Sequence, residues 1–101
     1  MAIQPNQQSK RTLQQARTTL TAPAVLAAAR DFFARNSGIY SAFLEKEGPT
    51  YITLRGQGGE EIAIGVVAAA GVTLVTATSY LFDQQVARFL ASLPVADEVL
   101  A

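Results

Sequence analysis

The stretch of this sequence that most resembles a chemical site is RGQGGEE, residues 55–61, because closely spaced glycines can turn backbone N–H groups toward a phosphate. A phosphate loop, however, needs a helix N-terminus after its glycines, usually with Lys and Ser or Thr. Here Glu60, Glu61 and a strand-like run follow instead. Two carboxylates at that point repel an anion. The spacing predicts a tight hairpin turn with positive φ at Gly58 or Gly59.

Paired acids suited to proton transfer are the next candidates, and the chain offers Glu45 with Glu47 and Glu60 with Glu61. Each pair falls at an expected hairpin end, where water solvates a carboxylate, so these residues are expected to act as solubilising charges rather than as an acid and base. The sequence contains no His and no Cys. This removes the usual nucleophile and base combinations, most transition-metal sites and any disulfide. A non-enzymatic chain is expected, with no catalytic residue, no cofactor and no metal site.

Residue types suited to binding remain. Tyr40, Tyr51 and Tyr80 fall in strand-like runs, where they could form an aromatic face for a partner, although strand aromatics more often pack with a wet hydroxyl. Phe32, Phe33, Phe82 and Phe89 fall on helix faces or caps and are expected in the core. Lys10, Arg11 and Arg17 give the first twenty residues three positive charges and no negative one; since the whole chain is neutral, the remainder carries minus three. Three cations without interleaved aromatics do not make a nucleic-acid site, and the overall balance of eight basic and eight acidic residues argues against nucleic acid as a partner. The basic segment is expected instead to contact a protein.

These residues must be positioned by a small number of elements. Residues 1–8 are polar and without periodicity, and 9–20 read as a basic arm or a short helix with Leu13, Ala16 and Leu20 along one side. Thr21 is a good N-cap and Pro23 suits a first turn, so an amphipathic helix is expected over 22–36, with Val25, Leu26, Ala29, Phe32 and Phe33 facing inward and Gly38 ending the run. The period then changes to two over 39–46, EKEGPT reads as a hairpin connection, and YITLR reads as a second strand.

Residues 62–82 carry no charge and approach the ~20 residues that a membrane-spanning helix needs. Val, Ile, Thr and Tyr dominate, Gly65 and Gly71 interrupt, and the flanks are acidic rather than basic, all of which favours two strands split at AAAG. Asp83 is expected to cap a closing helix with Val86, Phe89, Leu90 and Leu93 on its apolar side and Pro94 at its end. The expected fold is α+β: a four-stranded antiparallel meander, with the N-terminal amphipathic helix and the C-terminal helix on one face, preceded by the basic arm. One domain is expected over 21–94, between the N-terminal arm, 1–20, and an acidic tail, 95–101.

Strands followed by the helix from Asp83 to Leu93 are similar in order to those of helix-grip proteins, over about the last two thirds of the chain. That resemblance implies a carrier holding a small apolar ligand between a curved sheet and the helix. The residues themselves point first to a different function, a non-enzymatic accessory subunit that docks onto and stabilises a larger assembly. The assemblies in view include membrane complexes, energy-converting or photosynthetic ones among them, with this chain as an extrinsic subunit. The polar N-terminus lacks the apolar stretch of a secretory signal, so a cytoplasmic location is expected, peripheral to a membrane where a partner holds it there. An exposed sheet edge also offers a route to a homo-oligomer.

Overall fold

A computed structural model describes residues 11–35 and 41–96. The element order is β1 (Arg11–Thr18), α1 (Ala22–Arg35), β2 (Ala42–Gly48), β3 (Tyr51–Gly56), β4 (Glu61–Ala69), β5 (Val72–Tyr80) and α2 (Asp83–Ala91). The strands form one antiparallel sheet in the order β1-β5-β4-β3-β2. Helix α1 packs across β2, β3 and β4, α2 packs across β1 and β5, and the two helices touch. The class is therefore α+β, with both helices on the same side of the sheet.

Residues 62–82 divide as their β-branched content requires. Strand β4 meets β5 from Ile62↔Ser79 to Ala69↔Val72. The two-residue turn between them puts Ala70 at φ 54° and Gly71 at φ 81°, the paired positive angles that match the twist of a hairpin. Among the described residues no helix is long and apolar enough to cross a membrane.

Four expectations need correction. The meander gains a fifth strand, because residues 11–18 form β1 rather than an arm or short helix, paired along its whole length with β5 from Arg11↔Tyr80 to Thr18↔Thr73. Without β1 that edge of β5 would leave its ladder groups unpaired, and satisfying them outweighs a weak helical stripe. Strand β2 runs through Glu47 and Gly48, which narrows the expected EKEGPT connection to Pro49 and Thr50. A register shift between Leu44 and Lys46 absorbs Glu45 as an extra residue. Asp83 does not cap α2: Phe82 occupies the cap position without a side-chain bond, and Asp83 is the first helical residue. Its carboxylate accepts a hydrogen bond from Ser79 Oγ at 3.2 Å, and its backbone carbonyl accepts one from Gln14 Nε2 at 3.0 Å.

The start of α1 follows expectation, with Thr21 Oγ1 accepting from the Ala24 N–H at 3.3 Å. Residues 1–10, 36–40 and 97–101 lie outside the described residues, and with them Asn36, Gly38 and Ile39. The first two residues of the expected acidic tail are tied back to β1, through the bridge Thr18↔Val95 and an Ala96 N–H bond to Arg17 O at 3.2 Å.

The core lies between the helices and the sheet. Ile52, Leu54, Ile62, Ile64 and Val75 point up from the strands, and Val25, Ala29, Phe33, Val86 and Phe89 point down from the helices, all essentially inaccessible. Phe32, Phe33 and Phe89 form a ring cluster with centroids 5.2 to 5.6 Å apart, joining α1 to α2. Two threonines close the β1–α1 corner: Thr18 Oγ1 accepts from the Leu20 N–H at 3.2 Å, and Thr73 Oγ1 donates to Leu20 O at 2.7 Å.

Two outcomes follow from this packing. Phe33→Ala removes a wholly buried ring at the helix contact and is expected to cost about 3–5 kcal/mol, measured by urea unfolding. Ala70→Asn replaces an alanine held at φ 54° by a residue that tolerates this region, and is expected to gain roughly 0.5–1 kcal/mol in the same assay.

Candidate interaction surface

Strand alternation gives each strand an outward row on the side that carries no helix. Across the sheet these residues fall into register. Leu13, Thr78, Ala63, Thr53 and Lys46 form one row, and Gln15, Thr76, Gly65, Tyr51 and Gly48 form the next. Beyond the second row stand Arg17, Leu74 and Val67, and beyond the first stand Tyr80, Arg55 and Phe43. The middle of this face is built of Thr, Ala and Gly, so it is low, while larger side chains stand around it. Of the eight large hydrophobic residues that the described part of the chain exposes, five lie on this face: Leu13, Phe43, Tyr51, Val67 and Tyr80. Leu13 and Val67 are 60% and 63% exposed. Such a concentration is more than the scatter of single apolar residues that any surface shows.

The charges sit away from the centre, and at one corner Arg55 is bound by two acids. Arg55 Nη2 reaches Glu45 Oε1 at 3.0 Å and Oε2 at 3.1 Å, Nε reaches Glu45 Oε2 at 3.2 Å, and Nη1 donates to Gly59 O at 3.0 Å. Glu61 lies 3.9 Å from the same guanidinium. Hydrogen bonding to Glu45, then that carboxylate's charge, raises the Arg55 pKa above its ordinary value; desolvation opposes the shift and Glu61 adds to it. Arg55 is thus a permanent cation that ties β2, β3, β4 and the 57–60 turn together at one corner.

The other sequence candidates resolve into local structure. In the Gly-rich turn, Gly59 takes φ 91° and Glu60 Oε1 accepts the Gly58 N–H at 3.0 Å, so a carboxylate of the loop itself occupies the donor that a phosphate would need. Glu47 pairs with Arg30 at 3.0 Å. Among the described residues no three acidic side chains converge to hold a metal ion. Where a helix-grip carrier would hold its ligand, the buried rings of Phe33 and Phe89 fill the space between helices and sheet. A surface hollow of about 380 Å³ lies instead outside α2, against Leu81, Asp83, Gln84 and Gln85.

Of the residues expected to contact a partner, Arg17, Tyr51 and Tyr80 come to the helix-free face, and Arg11 opens β1 at the register position opposite Tyr80. Lys10 and Tyr40 lie outside the described residues. Sequence reasoning missed Leu13, Phe43, Val67 and Gly65 as surface residues. The available signal was phase: once Ile62, Ile64 and Val66 are taken as core, Ala63, Gly65 and Val67 must point the other way.

The fold and this face together define a class, a two-layer α+β domain with one sheet surface that no described element covers. Neither the protein-family models nor the curated proteins searched give a match to this chain.

At the floor of the face, Thr53 Oγ1 is buried and has no hydrogen-bond partner among the described residues. A buried hydroxyl without a partner is a cost, and valine has the same shape with a better strand preference. Thr53→Val is expected to raise stability by about 0.5–1.5 kcal/mol, read from the midpoint of chemical unfolding.

Proposed function

We propose that this chain is a non-enzymatic accessory subunit that docks onto and stabilises a larger assembly through the helix-free face of its sheet. One observation carries the reading: five exposed large hydrophobic residues share a face whose centre holds no charge. Five strands at ~4.8 Å spacing and about 27 Å of strand length give the whole face, polar side chains included, an area of roughly 650 Å². The absence of His and Cys from the sequence supports a binding role over catalysis.

Docking at a membrane fits the same reading, with the chain held as an extrinsic subunit by a protein partner and the basic N-terminal residues Lys10, Arg11 and Arg17 contributing to the attachment. The test is affinity purification of the tagged chain from its own cells in mild detergent, beside the variant Gly65→Arg. A Cβ at Gly65 would meet only Thr50 O, at 3.9 Å, so the arginine can stand on the face without disturbing the fold. The expected result is a stoichiometric protein partner retained by the wild type and lost from the variant. Retention of the same partner by both rejects the face as the surface that holds it, and retention of none by either rejects docking onto a larger assembly.

A further inference from the structure

We infer that the helix-free face joins two copies of this chain, stacked sheet to sheet about a two-fold axis lying between them. The inference rests on the reading of this face as a docking surface and goes further by naming its occupant.

The first argument comes from Gly65, at the centre of the face. Glycine in the middle of a strand weakens it, and nothing among the described residues calls for it here. The positive-φ glycines are Gly59 and Gly71, not Gly65, and an added Cβ at Gly65 would make no contact closer than 3.9 Å. The neighbouring Tyr51 ring covers Gly48 on the other side, which leaves Gly65 bare. A bare strand glycine suits a place where a second surface comes close.

The second argument is charge. In a two-fold contact each group meets itself or another group of the same face, so an excess of either sign on that face is self-repelling. The central rows here carry no charge between Gln15 or Leu13 and Tyr51 or Thr53, and Arg55 is bound to Glu45 and Glu61 at the margin. The full chain is also neutral, with eight basic and eight acidic residues, so two copies approach without net repulsion. The cations of this face, Lys46, Arg17 and the acid-bound Arg55, stand around its centre, so two copies can meet through an uncharged middle.

Relief and area agree with this. Val67 and Leu13 stand above a floor of Ala63, Gly65 and Thr76, a pattern in which one copy's ridge can enter the other's hollow at the ~10 Å spacing of stacked sheets. Burying roughly 650 Å² on each copy removes about 1,300 Å² in total, within the ~1,200–2,000 Å² of stable interfaces.

Sedimentation of the purified full chain over a wide concentration range tests this. The expected species has twice the 10.7 kDa chain mass. Gly65→Arg at the centre and, separately, Val67→Glu on the ridge beside it are each expected to weaken it about a hundredfold, as a charge brought into a closed interface does. Thermal unfolding of both variants reads whether they are folded; Val67 is already exposed, so its variant decides the matter if Gly65→Arg does not fold. A chain of single mass at every concentration overturns the inference, as does a dimer unmoved by either variant, the result that pairing through a sheet edge would give. A monomer that still loses a different protein partner through Gly65→Arg removes the second copy and keeps the docking face. A monomer that loses nothing removes both.

Discussion

Two helices are enough to cover one side of this sheet, and the contact between Phe33 and Phe89 holds them both there. Phe33 comes from the last turn of α1 and Phe89 from the last turn of α2, and Phe32 packs against both rings. With the rings joined, α1 lies across β2, β3 and β4, and α2 across β1 and β5. Their apolar sides are spent on the same layer of Ile, Leu and Val, so this layer is dry and the opposite side of every strand is left to water. The open face is therefore a consequence of how the core is made.

Composition of that face follows a different logic from the core. Inward positions hold large aliphatic residues such as Ile52, Leu54, Ile62, Ile64 and Val75, whereas the outward positions at the middle of the three central strands are Thr53, Ala63, Gly65, Thr76 and Thr78. Small β-branched or hydroxylated residues keep a strand stable without building height. Height is supplied around the centre, by Leu13, Tyr51, Val67 and Tyr80, and the charged residues Arg17, Lys46 and Arg55 lie outside that centre, Arg55 bound by its acids. Core and face thus divide the apolar content between cohesion and contact.

How much of this could be read from the residues depended on distance along the chain. The two hairpins from β3 to β5 were legible, because alternation and turn residues are local signals; the pair Ala70-Gly71 and the glycines before Glu60 mark the turns directly. Helix α1 was legible for the same reason, through Thr21 and Pro23. Strand β1 was not. Its apolar residues Leu13 and Ala16, with Leu20 beyond, are spaced as a helix would space them, and the edge that makes a strand of them belongs to β5, far along the sequence. At Asp83 the local cue misled by one residue, because its carboxylate is engaged by Ser79 from the preceding strand. Tyr51 and Tyr80 were recognisable as strand aromatics, but their sharing a face with Leu13 and Val67 depends on which side the helices take, and that is a property of the packed core.

The pairing of β1 with β5 also bears on the time course of folding. Neighbouring strands β2 to β5 can zip together as soon as each emerges, whereas β1 must wait through α1 and the whole meander before its partner exists. Contacts between such distant segments carry the largest loop-closure cost and form late. Until then β5 presents an unpaired edge and Thr73 cannot close the corner at Leu20. Closing the β1–β5 ladder therefore covers the β5 edge, an exposed row of N–H and C=O groups to which another chain could otherwise add.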